Sequence, residues 1–210
     1  MHLLAISIVI LITYLIRRQP ISSGGTWSER WYTALFLLLF PSLLILVTAI
    51  SVLYMGCHGA MLGIKAGSLG CGLAGSLILF ALGSLIERTY QSHRSIASLE
   101  AYQEQLVAGK IVRLIDIELP YSAQIGFWNP KLVISSGMLD SLDEEHLKAV
   151  LAHEQAHLYY RDTFWFFWLG WMRFFSSWLP KTETLWQELL LLRELRADSK
   201  AAKEVDFLLL

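Results

Sequence analysis

Charge is scarce in this chain. Of its 210 residues, 17% are Asp, Glu, Lys or Arg and 55% are hydrophobic, whereas about a quarter of a soluble domain is charged. This composition excludes a wholly soluble domain, and it excludes a disordered chain for the same reason. Basic residues are not in excess either, because 17 Lys and Arg stand against 18 Asp and Glu. We expect no nucleic-acid partner, since phosphate contacts need a surplus of positive charge.

Cysteine and intramembrane charge are also scarce. The two cysteines, Cys57 and Cys71, have no metal-type spacing and are too few for a disulfide framework. We therefore predict neither a cysteine metal site nor a disulfide framework. The long apolar blocks hold no ionisable residue apart from Lys65, near the start of the third block. That absence argues against a transporter or a channel, which needs such residues inside its spans.

What the chain does contain is a series of apolar blocks within residues 1–86. They cover residues 3–16, residues 31–54, and a stretch that ends at residue 86 and begins between residues 59 and 68. About 20 apolar residues cross a bilayer, so we expect a membrane region with about three transmembrane helices. A signal peptide is the alternative for the short first block. Its basic pair, Arg17 and Arg18, follows the apolar core instead of preceding it, which favours a retained span.

Small residues recur every four positions before and within the third block: Gly59, Gly63, Gly67, Cys71 and Gly75. On a helix they would form one smooth stripe against which another helix can pack closely. This predicts helix–helix association through Gly59, Gly63, Gly67 and Gly75. A flexible glycine-rich loop as far as Gly70 is the alternative, and Lys65 favours it for the first part.

Basic residues predict the orientation of the spans. Arg17, Arg18 and Arg30 lie between the first two blocks. Lys65 alone lies between the second and third blocks, and Arg88 and Arg94 follow the third. The pattern places the amino terminus outside and everything after residue 86 in the cytoplasm.

From residue 87 the composition becomes that of a folded domain, which we assign to residues 87–210. The pattern predicts an amphipathic helix over 95–107, short strands over 111–118, 122–127 and 131–135, and a helix that begins at a capping box over 141–144. These elements make a small sheet of about three strands followed by a helix.

An H-E-x-x-H motif, His153-Glu154-Gln155-Ala156-His157, lies inside that helix. Residues four apart share a helix face, so the two imidazoles can reach one ion. Glu154 lies about 100° round the helix from His153 and can meet a water instead of the ion. Zn²⁺ lowers the pKa of such a water towards about 7, and a carboxylate can take its proton. We therefore predict Zn²⁺ as the cofactor, His153 and His157 as ligands, and Glu154 as the catalytic base.

A catalytic zinc site needs a third protein ligand. By the predicted topology, His2 and His58 lie on the other side of the membrane. His93 lies in a basic linker, and His146 lies two helical turns from His153. Glu194 is the better candidate, because it shares a face of a second predicted helix with Asp198. Asp198 would then hydrogen-bond the free nitrogen of a ligating histidine. The alternative is a solvated charged face in which Arg193 and Arg196 pair with these carboxylates.

The two motifs together, H-E-x-x-H at 153–157 and E-x-x-x-D at 194–198, resemble those of the integral-membrane gluzincin peptidases. The resemblance runs from about residue 125 to residue 202 and includes Gly126-Phe127-Trp128-Asn129-Pro130 and Arg161-Asp162. It is closest to the antirepressor type, whose members include the beta-lactam sensor-transducers. The HtpX and CAAX-prenyl-protease type shares the same two motifs and is more distant.

This resemblance implies a multi-pass α-helical membrane protein with a small α+β zincin-like metallopeptidase domain. It implies zinc ligation by His153, His157 and Glu194, with Glu154 as the base. The expected protein is a zinc endopeptidase of the bacterial plasma membrane, with its catalytic domain on the cytoplasmic side and the lipid bilayer as a partner. Its protein or peptide substrate would be a repressor or a damaged membrane protein.

The sequence departs from the antirepressor type in two places. Ala197 stands where that type often has Cys, but the position is not a ligand in the family. No counterpart of the long extracytoplasmic sensor domain is present, so antibiotic sensing is not expected. The rival to the peptidase is a non-catalytic zinc-binding signalling or assembly protein that keeps the fold. Glu154 argues against it, because metal binding alone does not need that carboxylate.

Residues 163–179 are apolar and rich in aromatics. A single crossing there would leave His157 and Glu194 on opposite sides of the membrane, and two crossings need about 40 residues plus a turn. We expect the segment to lie in the membrane interface or to dip in and return, with a buried core helix as the alternative. A substrate strand could add to the edge of the sheet along residues 132–135.

Overall fold

The computed structural model describes residues 2–19, 24–57, 60–61, 64–65 and 68–204. The chain divides into two compact units. The first comprises Met1–Glu87 and Leu169–Leu190, and the second comprises Arg88–Trp168 and Leu191–Leu210.

The first unit begins with three helices and a two-stranded ribbon. In chain order these are α1 (His2–Arg18), α2 (Trp27–Met55), β1 (Ala60–Met61), β2 (Ile64–Lys65) and α3 (Ser68–Leu99). A capping box starts α2: the Thr26 hydroxyl accepts from the Glu29 backbone N–H, and the Glu29 carboxylate accepts from the Thr26 N–H. Within the described residues, α2 and α3 are long and apolar enough to cross a membrane. The first predicted span coincides with α1, and its crossing of a membrane stays a prediction.

The glycine stripe falls largely outside the described residues, since Gly59, Gly63 and Gly67 are not among them. Gly75 lies in α3 with open space where a side chain would stand. Helix–helix association through these residues stays a prediction.

Cys57 and Cys71 form a disulfide, with their Cα atoms 5.7 Å apart. The sequence predicted no disulfide framework, and this bridge corrects that prediction. Cys57 follows the end of α2 and Cys71 lies in the first turn of α3, so the two helix ends bring the thiols together. A count of two cysteines carries no such information, because the pairing depends on how the helices meet.

A buried arginine makes hydrogen bonds to several segments of the first unit. Arg17, at the end of α1, is 1% exposed. Its guanidinium donates to the hydroxyls of Ser176 and Thr182, at 3.1 and 3.2 Å, and to the Leu38 carbonyl at 3.4 Å. Lys181 donates to the Arg18 and Gln19 carbonyls at the same helix end. These bonds fasten α1 to residues 176–182.

The second unit is built on a four-stranded sheet. Its strands are β3 (Glu104–Val107), β4 (Lys110–Ile115), β5 (Ser122–Ile125) and β6 (Lys131–Ser135), in the order β3-β4-β6-β5. β4 and β6 are parallel, and the other pairs are antiparallel. Its core packs Val112 and Ile134 of the sheet against Leu151 of the following helix.

The sheet differs from the prediction in two respects. The prediction of a helix over 95–107 was wrong, because α3 ends at Leu99 and the following residues form β3. Ala108 and Gly109, with φ values of 45° and 80°, make the hairpin that pairs β3 with β4. The edge expected along 132–135 was also wrong. β6 lies between β4 and β5, so the free edge near the motif helix is β5.

Four helices follow the sheet: α4 (Ser136–Ser141), α5 (Glu144–Tyr160), α6 (Asp162–Phe175) and α7 (Thr182–Ala201). The cap of α5 is Asp143, not Ser141, and its carboxylate accepts from the His146 N–H at 2.9 Å. Arg161 ends α5 in the left-handed conformation, φ 54°, which lets α6 begin at the next residue.

The aromatic segment over 163–179 forms most of α6. Its buried side chains recur every three or four residues: Phe166, Leu169, Met172, Phe175 and Leu179. Its most exposed aromatic side chains lie on the other face: Trp165, Phe174 and Trp178. The segment is thus a 14-residue amphipathic helix and its continuation. Its position in a membrane interface stays a prediction.

Candidate metal centre

Helix α5 presents two imidazoles on one face. His153 and His157 are four residues apart, and their Nε2 atoms lie 3.0 Å from each other. This is the outcome that helical periodicity requires. The Nε2 atoms point towards α7.

Helix α7 supplies the third group. One carboxylate oxygen of Glu194, Oε2, lies 3.3 Å from the Nε2 atoms of both His153 and His157. The three donor atoms all lie within 4.8 Å of one another. The structure therefore brings together the three residues that the sequence predicted as ligands.

Carboxylates hold the other nitrogen of each ring. His153 Nδ1 donates to Asp198 at 2.7 Å, and His157 Nδ1 donates to Asp162 at 2.8 Å. Because a carboxylate can only accept, each Nδ1 carries a proton, and Nε2 is the nitrogen that can bind a metal once it has lost its own proton. Asp198 was predicted to hydrogen-bond a ligating histidine, and the structure places it there.

Asp162 was not predicted as a site residue. Its side chain is 3% exposed and also accepts from the guanidinium of Arg196, which stacks 4.1 Å from the centroid of the Tyr160 ring. The sequence signal was the Arg161-Asp162 pair directly after the motif helix. Asp162 lies five residues after His157 and is therefore not its neighbour on a helix face. The two side chains meet because Arg161 reverses the direction of the chain.

Arg193 fixes the remaining oxygen of Glu194. Its Nε donates to Glu194 Oε1 at 2.8 Å, and Nη2 contacts the same oxygen. Oε1 is thus occupied, while Oε2 faces the two imidazoles.

In the metal-free protein, hydrogen bonds among the three groups shift their pKa values so that the histidines favour the protonated form and Glu194 the ionised form. Hydrogen bonds from His153 and His157, together with Arg193, hold the pKa of Glu194 far below its usual range. Burial alone would lower the pKa of His157, but its bonds to Asp162 and Glu194 outweigh this and raise it to about 9. The hydrogen bond to Glu194 is the main cause of the raised pKa of His153.

Glu154 lies beside this cluster and is buried, with 6% of the residue exposed. Its Oε1 accepts from the hydroxyl of Ser122 on β5 at 2.7 Å. Gln124, two residues along the same strand, donates to the backbone carbonyl of Glu154 at 3.4 Å. Ser122 and Gln124 were not predicted as site residues, because the sequence did not identify β5 as the strand beside α5.

A cleft of about 320 Å³ opens over these groups. β5 lines one side, and α5, α6 and α7 contribute His153, Glu154, His157, Thr163 and Glu194. An extended chain at the free edge of β5 would therefore pass the carboxylate of Glu154.

The donor set fits a zinc ion. Zinc binds imidazole nitrogen and carboxylate oxygen at about 2.0–2.2 Å in a tetrahedron, which separates ligand atoms by roughly 3.3 Å. The separations here are 3.0, 3.3 and 3.3 Å. Three protein ligands leave one tetrahedral position, which is the arrangement of catalytic rather than structural zinc sites.

Comparison with known protein families agrees with this chemistry. Residues 120–201, less than half of the chain, match Peptidase family M48. The matched stretch contains β5, the H-E-x-x-H helix and the helix that carries Glu194. It supports a metal-dependent peptidase of this kind. A search among curated proteins gave no significant match.

Proposed function

We propose that this protein is a membrane-bound, zinc-dependent endopeptidase that hydrolyses peptide bonds in a protein substrate. One observation carries the proposal. Two Nε2 atoms and one carboxylate oxygen converge with metal-ligand spacing, and the buried carboxylate of Glu154 lies beside them, held by Ser122. Metal binding alone would not require Glu154, so this pairing favours a hydrolase over the alternative of a non-catalytic zinc-binding signalling or assembly protein.

Each residue has a proposed task. His153, His157 and Glu194 would hold Zn²⁺, which supplies Lewis-acid polarisation of the scissile carbonyl and a more acidic water. Glu154 would take the proton of the attacking water and pass it to the leaving amine. Ser122 orients Glu154, and Asp162 and Asp198 keep the proton on Nδ1 of each histidine. Arg193 keeps Glu194 turned with one oxygen towards the ligands.

The substrate would bind as an extended strand at the free edge of β5. Residues 122–125 pair with β6 on one side, so their other side can pair with a peptide. This replaces the edge that the sequence suggested along 132–135. The bound strand would lie beside Glu154, where its carbonyl can react.

The proposed setting is the bacterial plasma membrane, with the peptidase domain in the cytoplasm. The apolar character of α2 and α3 supports a membrane location. The disulfide between Cys57 and Cys71 supports the orientation, because disulfides persist in oxidising compartments and are rare in the cytosol. It lies between α2 and α3, so a chain that crosses the membrane along α3 would emerge on the reducing side. The antirepressor subtype is proposed from the sequence resemblance alone.

Peptide hydrolysis tests the function. Zinc-loaded protein in detergent is incubated with a mixture of peptides from a digested protein, and the new peptide ends are identified by mass spectrometry. We expect cleavage that is lost in Glu154→Gln with zinc retained, and kept in the control Glu145→Gln, whose side chain is exposed on the same helix. A zinc-bound wild type that cleaves no more than Glu154→Gln would favour the non-catalytic alternative.

A further inference from the structure

A second cavity, of about 500 Å³, lies between the sheet and α5 in the second unit. Its apolar wall includes Val112, Leu151 and Leu158. Its charged lining is mostly basic, with Lys110, Arg113 and Lys131 against the single carboxylate of Glu104. An apolar wall below a basic rim suits a side chain with an aliphatic stem and an anionic end.

Within the described part of the chain, two of the three cations form no ion pair. Arg113 is neutralised, because it pairs with Glu104 at 2.7 Å. Lys110 instead donates to the Leu151 carbonyl at 3.3 Å and to the amide oxygen of Gln155, which are neutral groups. Lys131 forms no ion pair with any residue that the structure describes. The cavity therefore carries unbalanced positive charge.

Burial affects Lys110 in particular. Partial burial lowers the pKa of its ammonium by more than the negative charge of Glu204 raises it, so the charged form is not fully compensated where it stands. An anionic group entering the cavity would supply that compensation.

The cavity and the catalytic cleft share one lining residue on β5. Gln124 lines both and bonds the backbone of Glu154. Gln155, the partner of Lys110, is the next residue after Glu154. Ser122 contacts Glu154, and Gln124 stands two residues further along β5, or about 7 Å at the rise of a strand.

We propose that this cavity is a substrate subsite for an acidic side chain, held by Lys110 and Lys131. The inference rests on the proposed peptidase function. A peptide along β5 would place the residue about two or three positions from its scissile bond beside Gln124, on the side towards Ile125. Glutamate suits the site best, because its methylenes meet the apolar wall and its carboxylate reaches the ammonium groups.

Matched peptides test this subsite. A cleaved sequence is varied so that the residue two or three positions from the scissile bond is Glu, Gln or Lys, and each is offered to zinc-loaded full-length protein. We expect kcat/KM about tenfold higher for Glu than for Gln, the effect of one charge-assisted hydrogen bond of about 1.4 kcal/mol. The Lys peptide should be the poorest.

Variants identify the residues responsible. Lys110→Gln and Lys131→Gln should each reduce the ratio of kcat/KM for the Glu peptide to kcat/KM for the Gln peptide. Lys131 is exposed at the start of β6, so its variant tests the idea even where Lys110→Gln fails to fold. The control is Lys148→Gln, which removes an exposed lysine of α5 that pairs with Glu144 and should change nothing.

Binding separates this inference from the proposed function. Peptide affinity is measured by fluorescence anisotropy in the Glu154→Gln background, which needs no catalysis. Tighter binding of the Glu peptide that is lost in both lysine variants would support the subsite. Cleavage of the Glu and Gln peptides at equal rates, with the lysine variants unchanged, would overturn the subsite and leave the peptidase intact. Absence of any cleavage with the Glu preference retained in binding would count against the peptidase alone.

Discussion

Asp162 offers a test of how the site is held together. Its carboxylate accepts from His157 Nδ1 and from Arg196, and its side chain is 3% exposed. Asp198 accepts from His153 Nδ1 in the same way, but its side chain is 50% exposed. Replacing each by Asn removes the charge and keeps the shape, so the two substitutions compare a buried and a solvated partner of equivalent histidines.

The expected effects follow from this difference in exposure. Loss of a carboxylate behind a metal-binding histidine weakens metal affinity by about 10- to 100-fold. We place Asp162→Asn at the upper end and Asp198→Asn at the lower end, because water can replace an exposed carboxylate. The Asn amide has one acceptor oxygen, so Asp162→Asn leaves either His157 Nδ1 or Arg196 without an acceptor, which should cost about 1.5–3 kcal/mol in free energy of unfolding.

Zinc affinity is measured by competition with a chromogenic chelator, and stability by thermal unfolding of the metal-free protein. Asp140→Asn is the control, because Asp140 is exposed at the end of α4 and far from the histidines in sequence. Equal zinc affinities for Asp162→Asn, Asp198→Asn and the control would refute the assignment of both aspartates to the histidine rings.

Three further predictions concern the catalytic base, protonation and packing. Ser122→Ala removes the hydroxyl that holds Glu154 and should lower kcat about tenfold without changing zinc content; an unchanged kcat contradicts it. The pKa of His157 is about 9 in the metal-free protein against 6.5 in an unfolded chain, so its protonated ring stabilises the fold below pH 6.5. This stabilisation should disappear as the pH rises to about 9, and zinc uptake at pH 7 should release protons, measured by calorimetry in two buffers; uptake without proton release contradicts it. In Gly137→Ala the new Cβ would collide with the Glu118 carbonyl oxygen, and we expect a loss of about 3 kcal/mol in unfolding free energy. An unchanged melting temperature would contradict this close approach.

The motif helix and its partners were predictable because their geometry is local. His153 and His157 share a face by periodicity alone, and Glu194 with Asp198 repeat that spacing on α7. The apolar runs that became α2 and α3 were equally clear, since length and composition suffice to recognise them. In each case the decisive information lay within a few turns of one helix.

What the sequence did not yield depends on contacts between distant segments. Residues 104–107 form β3 and not a helix, because the hairpin at Ala108 and Gly109 folds them back to pair with β4. Which strand lies at the sheet edge depends on the order of pairing, and so Ser122 was missed. The disulfide between Cys57 and Cys71 depends on how two helix ends meet, which spacing does not encode.

The most direct test of the account is the zinc content of the purified protein beside that of Glu194→Ala. Elemental analysis after gentle purification should give about one zinc per chain for the wild type, in keeping with a single three-ligand site, and a much lower value for the variant. Glu188→Ala is the matched control, because Glu188 lies on the same helix and pairs with Arg30 at 2.6 Å. Full zinc retention in Glu194→Ala would contradict the third ligand, and a wild type without zinc would contradict the metallopeptidase itself.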